Sequence, residues 1–145
     1  MQKVSYHQDL AAWAEQQAAL LQAGNLHELD IENLIEEMQA MSRKEHRELL
    51  HRMQILIAHL LKWEYQPTHR GVSWIRTIDN QRLSINGLIE DSPSLKNHFD
   101  EAEWIAKAWK DAVKLASNET GLGNLPPNPI WTIDEILNKD FFQAA

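Results

Sequence analysis

A stretch in the middle of the chain gathers cationic and aromatic side chains around one loop. Aromatic rings can stack on nucleic-acid bases while arginine and lysine hold phosphates, so this mixture is typical of single-strand binding. Four cations against Glu64 and Asp79 leave the stretch with a local charge of +2. The candidate binding residues are Lys62, Trp63, Tyr65, Arg70, Trp74, Arg76 and Arg82.

The same residues also fit a structural role, which the overall charge favours. Fourteen lysines and arginines against 21 acidic residues leave a formal charge of -7, and this charge repels phosphates. In the structural interpretation, Trp63 and Trp74 cap a helical core, while Lys62 and the arginines pair with surplus acids. Nucleic-acid binding is therefore an alternative that the net charge disfavours.

Glu48 and His51 are the candidate metal ligands. Their Glu-x-x-His spacing places a carboxylate and an imidazole on one helical face, as in di-iron bundle proteins. A complete site of that kind needs a second such motif, and His98-Phe-Asp-Glu101 has the reversed order. A metal-dependent enzyme is thus the least favoured interpretation, and we expect no cofactor.

Other common catalytic patterns are missing from the sequence. The chain has no cysteine, which excludes disulfides, thiolate zinc sites and a cysteine nucleophile. Its five glycines lack the spacing of a phosphate-binding loop, and there is no Gly-x-Ser-x-Gly elbow. The sequence therefore disfavours an enzyme, although it does not decide whether the protein is one.

Apolar periodicity predicts helices along most of the chain. Capping-box spacing over Ser42-Arg-Lys-Glu45 predicts a kink or break near Met41, and Ser92-Pro93 predicts a helix start that Gly121 ends. Asp30 is the predicted N-cap of the second helix, and Thr132-Ile-Asp-Glu135 predicts a capping box at the start of the last one. The predicted helices cover residues 9–23, 31–65, 73–90, 93–120 and 132–138.

These helices define the expected fold class. No strand-like alternation, repeat or low-complexity tract occurs, so we predict an all-α antiparallel helical bundle with long helices, forming a single domain over residues 1–145. A proline-rich connector over residues 121–129 precedes the short C-terminal helix. The sequence shows neither a signal peptide nor an apolar run of membrane-spanning length, so we expect a cytoplasmic protein without membrane partners.

Short segments between Tyr6 and Phe142 carry a family resemblance. They are residues 13–21, 29–37, 59–63, 73–74, 90–95 and 119–121, and they include His59-Leu-Leu-Lys-Trp63 and Glu119-Thr-Gly121. The segments resemble a bacterial family catalogued as domain of unknown function twenty-nine. This resemblance implies an all-helical fold, but it brings no known activity, ligand or catalytic residue.

Long apolar stripes without a complete catalytic set favour a non-catalytic helical module. We expect its partner to be a protein, which includes a second copy of the chain in a homodimer. The two alternatives are nucleic-acid binding through the segment from Trp63 to Arg82 and a metal-dependent enzyme built on Glu48 and His51.

Overall fold

The protein is all-α, as predicted. The computed structural model describes residues 2–142, and no strand occurs among them. None of the helices in this range combines the length and the apolar content needed to cross a membrane. The α-helices are α1 (Leu10–Gln22), α2 (Ile31–Tyr65), α3 (Val72–Asp91), α4 (Ala102–Thr120) and α5 (Ile133–Leu137). Three 3₁₀-helices cover Leu26–Glu28, Pro67–His69 and Pro93–Asp100.

The chain groups into two compact units. One extends to Lys44 and the other starts at Glu45, so α2 begins in the N-terminal unit and ends in the C-terminal unit. A single domain over residues 1–145 stays a prediction.

Asp30 organises the N-terminal unit. Its carboxylate accepts a hydrogen bond from the Asn33 backbone at 3.4 Å, as expected of a helix N-cap, and another from the Asn33 side chain at 2.8 Å. It also accepts the indole N–H of the buried Trp13 at 3.0 Å, while the Asp30 amide donates to Gln17 Oε1 at 2.8 Å. The bond from the Asn33 side chain lowers the pKa of Asp30, burial opposes this, and the Trp13 bond lowers it further. The start of α2 is thereby tied to α1.

The helix α2 is one uninterrupted helix, so the break predicted near Met41 is wrong. No proline or glycine stands between Ile31 and Tyr65 to interrupt the backbone ladder. Ser42 lies exposed inside the helix, where helical hydrogen bonds already use the amides that a capping box would serve. An ion pair between Arg43 and Glu36, at 3.0 Å, bridges two turns beside the expected break.

The single helix predicted after Ser92 is also wrong, because two helices occupy this part of the chain. The 3₁₀-helix Pro93–Asp100 comes first, and an extended backbone at Glu101 (φ -97°, ψ 106°) separates it from α4. A 3₁₀-helix has three residues per turn, so Leu95 and His98 lie on one side of it. Leu95 is buried there. Apolar spacings of three and four residues do not distinguish this arrangement from an α-helix.

The C-terminal unit packs around one buried face of α2. Leu49, Met53, Leu56 and Leu60 are fully buried and belong to the same cluster as residues of the other helices. The cluster partners include Ile85 of α3, Trp109 and Ala112 of α4, and Ile136 of α5.

The ends of the last two helices confirm short-range predictions. Gly121 adopts a left-handed conformation (φ 77°) at the end of α4, which glycine reaches without steric cost. Thr132 and Glu135 form a reciprocal capping box at the start of α5. Between them, the carbonyl of Pro126 accepts the Trp109 indole N–H at 2.8 Å, which fastens the proline-rich connector to α4.

Replacing Asp30 with alanine should lower the free energy of unfolding by about 1–2 kcal/mol, since the helix cap and the acceptor of the Trp13 indole are both lost. Urea unfolding followed by circular dichroism measures this loss. Asp30→Asn retains one side-chain oxygen and should recover part of it. A loss below about 0.5 kcal/mol in Asp30→Ala would show that the carboxylate oxygens have no such role.

Candidate functional site

The seven candidate binding residues lie at the end of α2, in the following loop and on α3. Their contacts join some of them in pairs. Lys62 meets Trp74, and Arg70 meets Trp63, whereas Arg82 makes its hydrogen bonds with the C-terminal segment.

Lys62 is a buried cation with an acidic partner. Its side chain is only 8% exposed, and its ammonium forms an ion pair with Glu119 near the end of α4. The same nitrogen lies 5.9 Å from the centre of the Trp74 ring, within the range of a cation–π interaction. Burial lowers the pKa of Lys62. The predicted pairing of Lys62 with a surplus acid is confirmed. Together, the ion pair and the contact with Trp74 join residues from three of the segments that carry the family resemblance.

His59 lies one turn before Lys62 and is half-buried. Its Nδ1 is 2.9 Å from the carbonyl oxygen of Ile55, so the neutral ring donates there and keeps Nε2 as an acceptor. Burial lowers the pKa of His59, the bond to Ile55 opposes the shift, and the charge of Lys62 adds to it. His59 is therefore neutral at physiological pH.

Arg70 covers Trp63, one of the aromatic candidates for base stacking. Its guanidinium lies 5.0 Å from the centre of the Trp63 ring, and its Nε donates to the Trp63 carbonyl at 2.7 Å. Trp63 is itself buried. This ring is thus unavailable to a base, and Tyr65 and Trp74 are half-buried. Of the cations, Arg70 and Arg76 are exposed.

Arg82 is buried without an acidic partner among the described residues, contrary to the pairing expected for the arginines. Only 3% of it is exposed. Its Nε donates to the Ile136 carbonyl at 2.9 Å and its Nη2 to the Phe141 carbonyl at 3.1 Å, while Nη1 has no partner within residues 2–142. Burial lowers the pKa of Arg82, and Asp79 opposes the shift. Arg82 anchors the C-terminal segment to α3.

The candidate metal ligands Glu48 and His51 do not form a site in the part of the chain described. Glu48 accepts a hydrogen bond from Arg52 Nε at 3.1 Å, and His51 is exposed. Residues 2–142 contain no group of three acidic or histidine side chains placed to hold a metal ion.

A different histidine pair, His46 of α2 and His98 of the third 3₁₀-helix, forms a hydrogen-bonded chain that the sequence interpretation missed. His46 Nδ1 lies 2.6 Å from His98 Nε2, and His98 Nδ1 lies 2.6 Å from Glu101 Oε1. The spacing of His98 and Glu101 was visible in the sequence. Their link to His46 crosses 52 positions, and no local pattern signals such a contact.

The N-terminal unit has a row of exposed apolar side chains on α2. Ile31, Ile35 and Met38 are 54%, 51% and 69% exposed, and Met41 beside them is 63% exposed. The apolar periodicity that predicts α2 continues through these positions, but the structure buries it only in the second half of the helix.

Comparison with known proteins gives one match. A family model described as Domain of unknown function DUF29 matches residues 5–142. The curated proteins and the solved structures contain no match.

Arg82→Ala should lower the free energy of unfolding by about 2–4 kcal/mol, because it opens a cavity and leaves the buried Ile136 carbonyl and the half-buried Phe141 carbonyl without their donor. The C-terminal segment should also loosen, so trypsin should cut faster after Lys139, which lies between the two anchored carbonyls. Arg76→Ala on the same helix is the control, and its exposed side chain predicts a change within about 0.5 kcal/mol. Equal cleavage rates in the two variants would refute the anchor.

The lowered pKa of His59 predicts a pH-dependent stability. In the unfolded chain His59 has a pKa of about 6.5, whereas its pKa in the folded chain is lower. Between these two pKa values the unfolded chain binds a proton that the folded chain does not bind, so the free energy of unfolding falls as the pH drops through this range. His59→Gln should remove this part of the acid loss, whereas His51→Gln, at an exposed position of the same helix, should keep it. Urea unfolding at pH 5, 6 and 7 measures the slopes, and identical slopes for wild type and His59→Gln would contradict the assignment.

Proposed function

The chain belongs to the DUF29 family, a domain of unknown function, and we propose that it acts as a non-catalytic helical module that associates with a second copy of itself. The observation that carries this proposal is the row formed by Ile31, Ile35 and Met38, which we name the exposed row. More than half of each of these side chains is in contact with solvent.

The exposed row has the spacing of a helix-pairing seam. Its steps of four and three residues keep the side chains on one narrow face, as in two helices that pack side by side. Fully burying an apolar side chain of this size contributes about 1.5–3 kcal/mol. A partner helix that covers the row would recover much of this free energy.

The charges beside the exposed row favour a second copy in the antiparallel orientation. Glu32 and Glu36 stand near the start of α2. Arg43, which pairs with Glu36 of its own chain, follows three turns after Glu32 on the same flank. In an antiparallel pair related by a two-fold axis near Met38, the flank that carries these charges contacts the same flank of the second copy. Glu32 then lies opposite the partner's Arg43. A parallel pair would instead bring Glu32 against Glu32.

The length of the exposed row sets the strength of the association. Its three residues and the neighbouring Met41 cover about three turns of one helix, which is less than the surface that each partner buries in a standard interface. We therefore expect a reversible dimer with a Kd on the order of 10–100 μM. Such a dimer forms and dissociates with local concentration.

Charge reversal tests both the partner and its orientation. Glu32→Lys and Arg43→Glu should each weaken the dimer about tenfold, since each places like charges opposite one another at two symmetric positions. An equimolar mixture of the two variants should dimerise like the wild type, because every contact then joins opposite charges. Sedimentation velocity from 1 to 200 μM measures the dimer in the wild type, in the two variants and in their mixture.

Met38→Glu supplies the second arm of this experiment, because it puts a charge in the exposed row next to the two-fold axis and should leave a monomer. Leu83→Glu is the matched control on α3, where Leu83 is 74% exposed and lies outside the row. A monomeric wild type at 200 μM, or a dimer that persists in Met38→Glu, would overturn the proposal.

A further inference from the structure

The side chains of His46 and His98, which we name the histidine pair, bring two imidazole nitrogens close together. We propose that they bind a divalent transition-metal ion, with Zn²⁺ as the ion tested, through His46 Nδ1 and His98 Nε2. The two nitrogens face each other across 2.6 Å, and the rings meet edge to face with their centres 4.8 Å apart. At this separation the two nitrogens share a hydrogen bond, so one of them carries the proton and the other accepts it.

His98 is oriented from two sides. Glu101 Oε1 accepts a hydrogen bond from His98 Nδ1 at 2.6 Å, which leaves the lone pair of the neutral ring on Nε2, towards His46. The Trp104 ring stacks on the His98 ring, with centres 5.3 Å apart and planes 15° apart. A carboxylate behind a histidine is the usual means by which proteins orient a metal-binding imidazole and raise its basicity.

A metal ion would take the place of the shared proton. Tetrahedral Zn²⁺ with bonds of about 2.0–2.1 Å needs the two nitrogens about 3.3 Å apart, so they must separate by less than 1 Å. His46 is exposed, so its ring can turn to give this separation. The proton on His46 Nδ1 moves through solvent to Nε2, and neither ring changes its charge.

The ligand atoms restrict the class of metal. Imidazole nitrogen suits Zn²⁺, Cu²⁺ and Ni²⁺, whereas Mg²⁺ and Ca²⁺ prefer oxygen. Residues 2–142 add no third ligating side chain to the pair, so water completes the coordination. We therefore expect an open site of micromolar rather than nanomolar affinity, with positions free for an exogenous ligand.

Binding at this pair would cross-link distant parts of the C-terminal unit. His46 lies on α2 and His98 lies on the 3₁₀-helix Pro93–Asp100, 52 positions further along the chain. An ion that binds only the folded chain raises its thermal stability according to its concentration relative to Kd. The predicted site thus has a readout in stability as well as in affinity.

Calorimetric titration of untagged, EDTA-treated protein with Zn²⁺ tests the proposal. We expect one ion per chain, a loss of at least tenfold in affinity for His46→Gln and for His98→Gln, and a smaller loss for Glu101→Gln. His51→Gln is the matched control because it removes another exposed histidine of α2, and it should bind Zn²⁺ like the wild type. Mg²⁺ should give no binding.

Thermal unfolding with and without 100 μM Zn²⁺ separates loss of the site from loss of the fold. Each variant should melt cooperatively without metal, and Zn²⁺ should raise the Tm of the wild type and His51→Gln but not of His46→Gln. The proposal is overturned if Zn²⁺ does not bind the wild type at 1 mM, or if His46→Gln and His98→Gln retain the wild-type affinity.

Discussion

The C-terminal unit depends on the burial of one face of α2. Leu49, Met53, Leu56 and Leu60 are all excluded from solvent, and each contributes about 2 kcal/mol through loss of contact with water. The three later α-helices all place apolar side chains in this cluster. Because the face is continuous over about three turns, it fixes where those helices lie. It thereby determines which polar side chains become buried beside it.

The positive charges of two buried side chains, Lys62 and Arg82, are compensated in different ways. Lys62 has a compact ammonium, and the carboxylate of Glu119 neutralises its charge directly. Arg82 spreads its charge over a planar group with several donors, so two backbone carbonyls can hold it without a carboxylate. Lys62 and Arg82, two of the residues that looked like a phosphate-binding set in the sequence, therefore hold α4 and the C-terminal segment in place.

Local signals were predictable from the sequence, while contacts between distant residues were not. The caps at Asp30 and Thr132 and the stop at Gly121 depend on residues within four positions of one another, and the structure has all three. The spacing at Ser42 was misleading because an intact helix already satisfies the amides that a cap would serve. The bonds of Arg82 to the C-terminal segment and of His46 to His98 cross more than fifty positions, and only the packing of the helices creates them.

The contrast between the two halves of α2 supports the view that its first half lacks a partner. Both halves carry apolar side chains at helix-pairing intervals, so periodicity alone cannot tell which half is covered. In the second half, other helices of the chain cover the stripe. In the first half the same kind of stripe stays exposed, and the flanking charges change sign along it, from Glu32 to Arg43. In an antiparallel pair, this charge order places an acidic residue of one copy opposite a basic residue of the other. The charges therefore favour a second copy as the partner, whereas exposure alone would favour no particular partner.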